Sequence, residues 1–238
     1  MFDTYVMHCE RLTERREHVE KALQSMNISD YHLTTDEMDY SYNGFYEDNE
    51  LKARDYAQVW LDQDLNRNYK YTKLAPASIS LCWKWYNALR RFVDLSKNDY
   101  GLFLEDDFCF SSEMKLKRED IELIIKDAIP TLCNDVIFLG GSFSHSIITH
   151  RQTFPAPESK ISGFVLSGHP STNTTSSLII KKSVAERILE ILCPFYLPID
   201  WQFNHIFQKL DLLVLHTFPY VCSQLSAKKH GFVSEVRR

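Results

Sequence analysis

Tyr100-Gly101-Leu102-Phe103-Leu104 is a short, continuous apolar run that stops abruptly on three acids, Glu105-Asp106-Asp107. It is too short for a core helix and lacks the alternation of a strand with one wet face. It fits a strand covered on both faces, and such a strand needs a sheet with helices packed on each side. A second run of the same kind, Val136-Ile137-Phe138-Leu139, is closed by Gly140-Gly141.

The segments between these runs carry helical spacing. Ile79, Cys82, Trp83, Tyr86, Leu89, Arg90 and Val93 repeat at threes and fours, predicting a helix over about Ser78 to Leu95. Leu12 to Met26 predicts a helix after a short opening strand, Thr4 to Cys9, and a further short strand fits Tyr31 to Thr34. Leu116 to Ile129 predicts another helix, stopped by Pro130. Later come a strand at Gly163 to Leu166, a strand at Leu178 to Ile180, a helix at Val184 to Leu192, a break at Pro194 to Pro198, a helix from near Asp200 and a strand at Leu212 to His216. Strands alternating with helices predict one α/β domain over residues 1–238, with a mostly parallel central sheet flanked by helices. Two stretches stand apart: the acidic, aromatic loop from Asp36 to Asn49, and the Ser/Thr/His/Pro/Gly-rich stretch from Ser142 to Thr175, a candidate substrate-side insertion.

Composition narrows the partners. An apolar content of 44% supplies a core, and a net charge of -5 gives no electrostatic reason for a nucleic-acid partner. Six cysteines without a C-x-x-C pair read as reduced thiols. The N-terminus lacks the pattern of a secretory signal, and no apolar run reaches the roughly 20 residues of a membrane span, so a cytoplasmic location is the expectation.

In open α/β sheets ligands bind beyond the carboxyl ends of strands, which is where the acidic triplet falls. Side chains alternate along an extended chain, so Glu105 and Asp107 share one side and Asp106 takes the other. Two carboxylates on one side suit a hard cation, Mg²⁺ or Mn²⁺, that keeps positions open for phosphate oxygens. The plainer alternative is a solvated turn, or the N-cap of a following helix.

Several of these segments together resemble glycosyltransferase family 25, the lipopolysaccharide and procollagen galactosyltransferase group. Tyr5 to Arg16 resembles the family's first strand and arginine-rich turn, Ser80 to Trp85 its Ser-His helix start with a downstream Trp, and Leu102 to Phe108 its apolar strand ending in Glu-Asp-Asp. Asp135 to Gly140 is similar to the next strand, Pro198-Ile199-Asp200-Trp201 to a Pro-x-Asp element, and Pro219 to Ser226, with Gln224, to the closing stretch. Leu81 departs from the pattern, standing where the family usually has His. The resemblance implies a GT-A fold, a UDP-sugar donor with galactose first among the sugars and glucose or xylose as others, Mn²⁺ or Mg²⁺, and a hydroxyl of a glycan or protein as acceptor. It implies that Asp107 binds the metal and that Glu105 or Asp106 contacts the nucleotide ribose or a metal-bound water.

An inverting transfer also needs a base for the acceptor hydroxyl, for which Asp200 is the candidate; the same residue suits a helix N-cap. Arg11 and Arg15, just beyond the first strand, are placed to approach the nucleotide, Arg11 lying closest to the strand end, with a charged helix face formed by Arg15, Arg16, Glu14 and Glu17 as the alternative. Ser80 either donates to a phosphate or caps its helix. His216 and His230 are candidates for a further metal ligand, as many GT-A enzymes take one from a C-terminal histidine. Lys228 and Lys229 stand beside His230. Two other readings share these features: a metal-dependent phosphohydrolase, disfavoured because the strand does not end in Asp-x-Asp-x-Thr, and a nucleotide- or carbohydrate-binding module without activity.

Overall fold

The computed structural model describes residues 1–35, 76–111, 115–132, 135–140, 153–154, 163–167 and 174–225. In chain order these form β1 (Phe2–Met7), α1 (Thr13–Ser25), β2 (His32–Thr34), α2 (Pro76–Leu95), β3 (Tyr100–Glu105), β4 (Phe108–Phe110) and α3 (Arg118–Leu132). There follow β5 (Val136–Phe138), β6 (Thr153–Phe154), β7 (Phe164–Ser167), β8 (Ser177–Lys181), α4 (Lys182–Leu192), α5 (Ile199–Lys209), β9 (Val214–Thr217) and β10 (Cys222–Gln224).

Among the described residues the main sheet has eight strands in the order β2-β1-β3-β8-β5-β9-β7-β6. β1 pairs in parallel with β2 and β3, and β5 with β9. β8 runs antiparallel between β3 and β5, and β7 antiparallel between β9 and β6. Only β7 and β8 are therefore reversed, and the other strands of the eight share one direction, the mostly parallel sheet expected.

β3 is buried on both faces, as its sequence requires. Phe103 joins one core cluster with Tyr5, Phe138 and residues of α2, α4 and α5. Leu102 and Leu104 join the opposite cluster with Val6, Ile137 and residues of α1 and α3. Trp85 of α2 stacks on Phe103 with ring centroids 5.6 Å apart and meets Phe203 of α5 edge-on at 5.0 Å. Such pairs prefer offset or edge-to-face geometry, and they fix α2 and α5 against the same strand.

Element ends differ from the expectation by a few residues, most notably at Pro130, through which α3 continues to Leu132. Proline's fixed φ is itself helical, and near a helix end its missing N–H forfeits only one bond.

Candidate functional site at the carboxyl edge of the sheet

β1, β3, β5 and β9 all end on the same edge, and the reversed β8 begins there. Leu104 pairs with Ser177, and the Glu105 N–H donates to the Ser176 carbonyl at 3.1 Å. Beyond Glu105 the chain turns at once through Asp106-Asp107 into β4, which pairs antiparallel with β10. The Leu225 N–H donates to the Asp107 carbonyl at 2.8 Å. The triplet is thus held by backbone bonds from two sides. It is a turn, as the plainer sequence reading allowed, but a strand rather than a helix follows it, and Asp106 and Asp107 are both buried.

Glu105 accepts a hydrogen bond from the Thr175 hydroxyl on Oε1 and one from Gln224 Nε2 on Oε2, the latter at 2.8 Å. Burial and the neighbouring Asp107 charge push its carboxyl up to about 8, with smaller contributions in the same direction from Asp200 and Asp106, against the opposing effect of Thr175. Of the charges acting on Glu105, that of Asp107 is the largest. Two carboxylates forced together in a poorly hydrated place resist double ionisation.

Asp106 is handled differently. Its Oδ1 accepts from Arg15 Nη1 at 2.6 Å, and its Oδ2 from the Cys9 N–H at 3.2 Å and contacts His8 Nδ1 at 3.1 Å. Burial alone would raise its pKa, but His8, Arg15 and the Cys9 N–H together outweigh that and hold it below the usual carboxylate range. Arg15, read from sequence either as approaching the nucleotide or as part of a solvated helix face, is buried in the first turn of α1. Arg11 is exposed in the turn before that helix.

Asp200 is the second residue of α5, whose N-cap position is Pro198, so the N-cap reading is corrected: the helix starts two residues earlier than a capping Asp200 would require. Its Oδ1 accepts from the Trp201 N–H at 3.0 Å, and a carboxylate in a first helical turn is favoured by the helix dipole. Burial nevertheless pushes its pKa up to about 6, against the Trp201 and Asp200 backbone bonds. Its place is set by the fully buried Gln202, whose Oε1 accepts from the N–H groups of Tyr196 and Leu197 and whose Nε2 donates to the carbonyls of Leu192 and Pro194. One side chain thereby gathers the segment between α4 and α5.

No protein-family model matches this sequence. No curated protein matches it either. Among solved structures the chain is similar to a UTP-bound UGPase from Acinetobacter baumannii, at 11% identity and a TM-score of 0.48, over 100% of this chain and 93% of that one.

The remaining sequence candidates fall in different places. Ser80 lies inside α2, which starts at Pro76, so it does not cap that helix; it is buried. His216 is buried near the end of β9, stacked flat on Phe138 at 4.8 Å. His230, Lys228 and Lys229, and the aromatic loop from Asp36 to Asn49, lie outside the described residues. Among the described residues no group of three or more His, Cys, Asp or Glu side chains is assembled as a metal cage. No helix among them is long and apolar enough to cross a membrane. Sequence reasoning missed Thr175 and His8 as contacts of the triplet. Thr175 was hidden in a Ser/Thr-rich stretch, while His8 was findable, because parallel strands that end together place the residues after them side by side.

Proposed function

We propose that this protein is a divalent-cation-dependent glycosyltransferase that moves a sugar from a UDP-sugar to a hydroxyl of a glycan or protein. The observation that carries the reading is the Glu105–Asp107 pair at the carboxyl edge of the sheet, two acids close enough for Asp107 to drive up the pKa of Glu105, with Asp200 near enough to add to it. The resemblance of the triplet and of Pro198-Ile199-Asp200-Trp201 to glycosyltransferase family 25 supplies the reaction class.

The donor set suits a hard cation. A magnesium-like ion is commonly held by one or two carboxylates and completes its shell with water and substrate phosphates, so a two-carboxylate site fits without a full protein cage. Asp107 and Glu105 would hold it, and their mutual repulsion is what a bound cation relieves. When bound, the ion supplies positive charge for the departing diphosphate. Thr175 and Gln224 fix the orientation of Glu105. Asp200, with a pKa near 6, is largely ionised at neutral pH yet basic enough to take the proton of an acceptor hydroxyl, the balance that suits a general base.

The test is a thermal-shift panel of nucleotide sugars with and without Mn²⁺, followed by turnover assays with UDP-galactose first. Ligands that bind only the folded state raise the midpoint by mass action. A Mn²⁺-dependent shift with a UDP-sugar, and turnover lost in Asp107→Ala, is the expected result. No shift with any UDP-sugar overturns the reading.

A further inference from the structure

We propose that Asp106 is a positioning residue: the buried Arg15–Asp106–His8 cluster anchors the β3–β4 turn so that Glu105 and Asp107 present their carboxylates together, and Asp106 does not itself touch the donor. The inference rests on the glycosyltransferase reading and deepens it.

Both oxygens of Asp106 are engaged by the protein, one by Arg15 and the other by Cys9 N and His8. The ion-paired side chains are 10% and 7% exposed, a degree of burial that leaves little room for a substrate hydroxyl or a cation. The three partners follow β1: His8 and Cys9 lie in the segment just after it and Arg15 in the first turn of α1. Met7 pairs with Glu105 in parallel register, so His8 and Asp106 are the next residues along both strands. Asp106 opens the turn between β3 and β4, with Glu105 and Asp107 on either side of it, so holding Asp106 against β1 and α1 fixes the turn that carries both neighbours. Arg15 suits the task because its planar guanidinium stays charged when buried and fixes direction as well as distance.

Truncating one member of a buried ion pair leaves the other uncompensated, so single variants confound folding with function. The informative variant is the double replacement Arg15→Met with Asp106→Leu, which removes both charges and fills the space. It is compared with Arg15→Lys, which keeps the charge and loses the fork. Losses in metal affinity of about tenfold or more are typical when a group that orients a metal ligand is removed. The expected result is a double variant with a denaturation midpoint near that of the wild type but a Mn²⁺ requirement raised about tenfold and a lower kcat, with KM for the UDP-sugar little changed. Arg15→Lys shows the same split in smaller degree. Wild-type Mn²⁺ response and kcat in the folded double variant overturn the proposal, as they do in Arg15→Lys if the double variant does not fold. Mn²⁺ binding measured by electron paramagnetic resonance on the same proteins keeps the two readings apart. A wild type that binds Mn²⁺ more tightly than the double variant but turns over no sugar nucleotide sinks the transfer reaction and leaves the positioning role standing.

Discussion

Gln224 Nε2 donates to Glu105 Oε2 at 2.8 Å, joining residues 119 positions apart and tying β10 to the end of β3. Ionised Glu105, the form that binds a cation, gains about 1.5–3 kcal/mol from such a bond, more than the neutral carboxyl does. Gln224→Leu therefore raises the Mn²⁺ concentration for half-maximal turnover by roughly tenfold, about 1.4 kcal/mol. Gln224→Glu, which adds a further negative charge beside the pair, weakens cation-free stability and tightens the Mn²⁺ response instead. Mn²⁺ titrations of initial rate and of melting temperature on both variants check the two directions.

Glu105 makes stability depend on pH with a definite sign. Its folded-state pKa is raised to about 8, so between the unfolded carboxyl value and that point the folded state holds a proton that the unfolded chain has released. Stability linked to this group is therefore present at low pH and is lost as pH rises through that window. Glu105→Gln removes the loss and is more stable than the wild type at pH 8 by on the order of 2 kcal/mol in the absence of metal. Urea midpoints at pH 5, 6.5 and 8 decide it. A wild type whose stability rises across this range relative to Glu105→Gln contradicts the arrangement.

For Asp200 the pH dependence lies in the rate. With a carboxyl near 6 acting as base, kcat/KM falls below about that pH, where the group is protonated. Asp200→Asn keeps the shape and the first-turn position but loses the base, lowering kcat by about 10²-fold or more. The acid limb disappears from the profile of the variant. Retention of that limb in Asp200→Asn assigns it to another group.

The features legible in the sequence are those set by local rules. β3 was readable because two-sided burial leaves Gly101 to Leu104 without a charged or polar residue, and the triplet because strand ends in such sheets face ligands. The reversed direction of β8 was not readable: Leu178-Ile179-Ile180 is equally apolar in either orientation, and its direction is set by the path of the preceding chain. The burial of Arg15 was equally hidden, since its neighbours Glu14, Arg16 and Glu17 describe a solvated face and only the contact with Asp106, 91 residues away, shows otherwise. The cap alternative for Asp200 fails because Pro-x-Asp permits more than one helix start, and the start at Ile199 buries that side chain.

Gly140 tests whether the placement of β10 governs the site. A Cβ at this position would lie 2.6 Å from the Cys222 carbonyl oxygen and 3.0 Å from Ser177 Oγ. The backbone there has little freedom to yield, because the Val221 and Cys222 N–H groups both donate to the Leu139 carbonyl, at 2.9 and 3.0 Å. Gly140→Ala must push β10 outward, at about 1–3 kcal/mol for a forced methyl group. The displaced strand carries Gln224 two residues further on, so the Glu105 contact lengthens with it. The expected variant has a lower denaturation midpoint and a Mn²⁺ requirement shifted in the same direction as in Gln224→Leu. Adding Gln224→Leu to Gly140→Ala then shifts it little further, because both changes act on one contact. Fully additive effects on the Mn²⁺ requirement would show that the two residues act on the site independently.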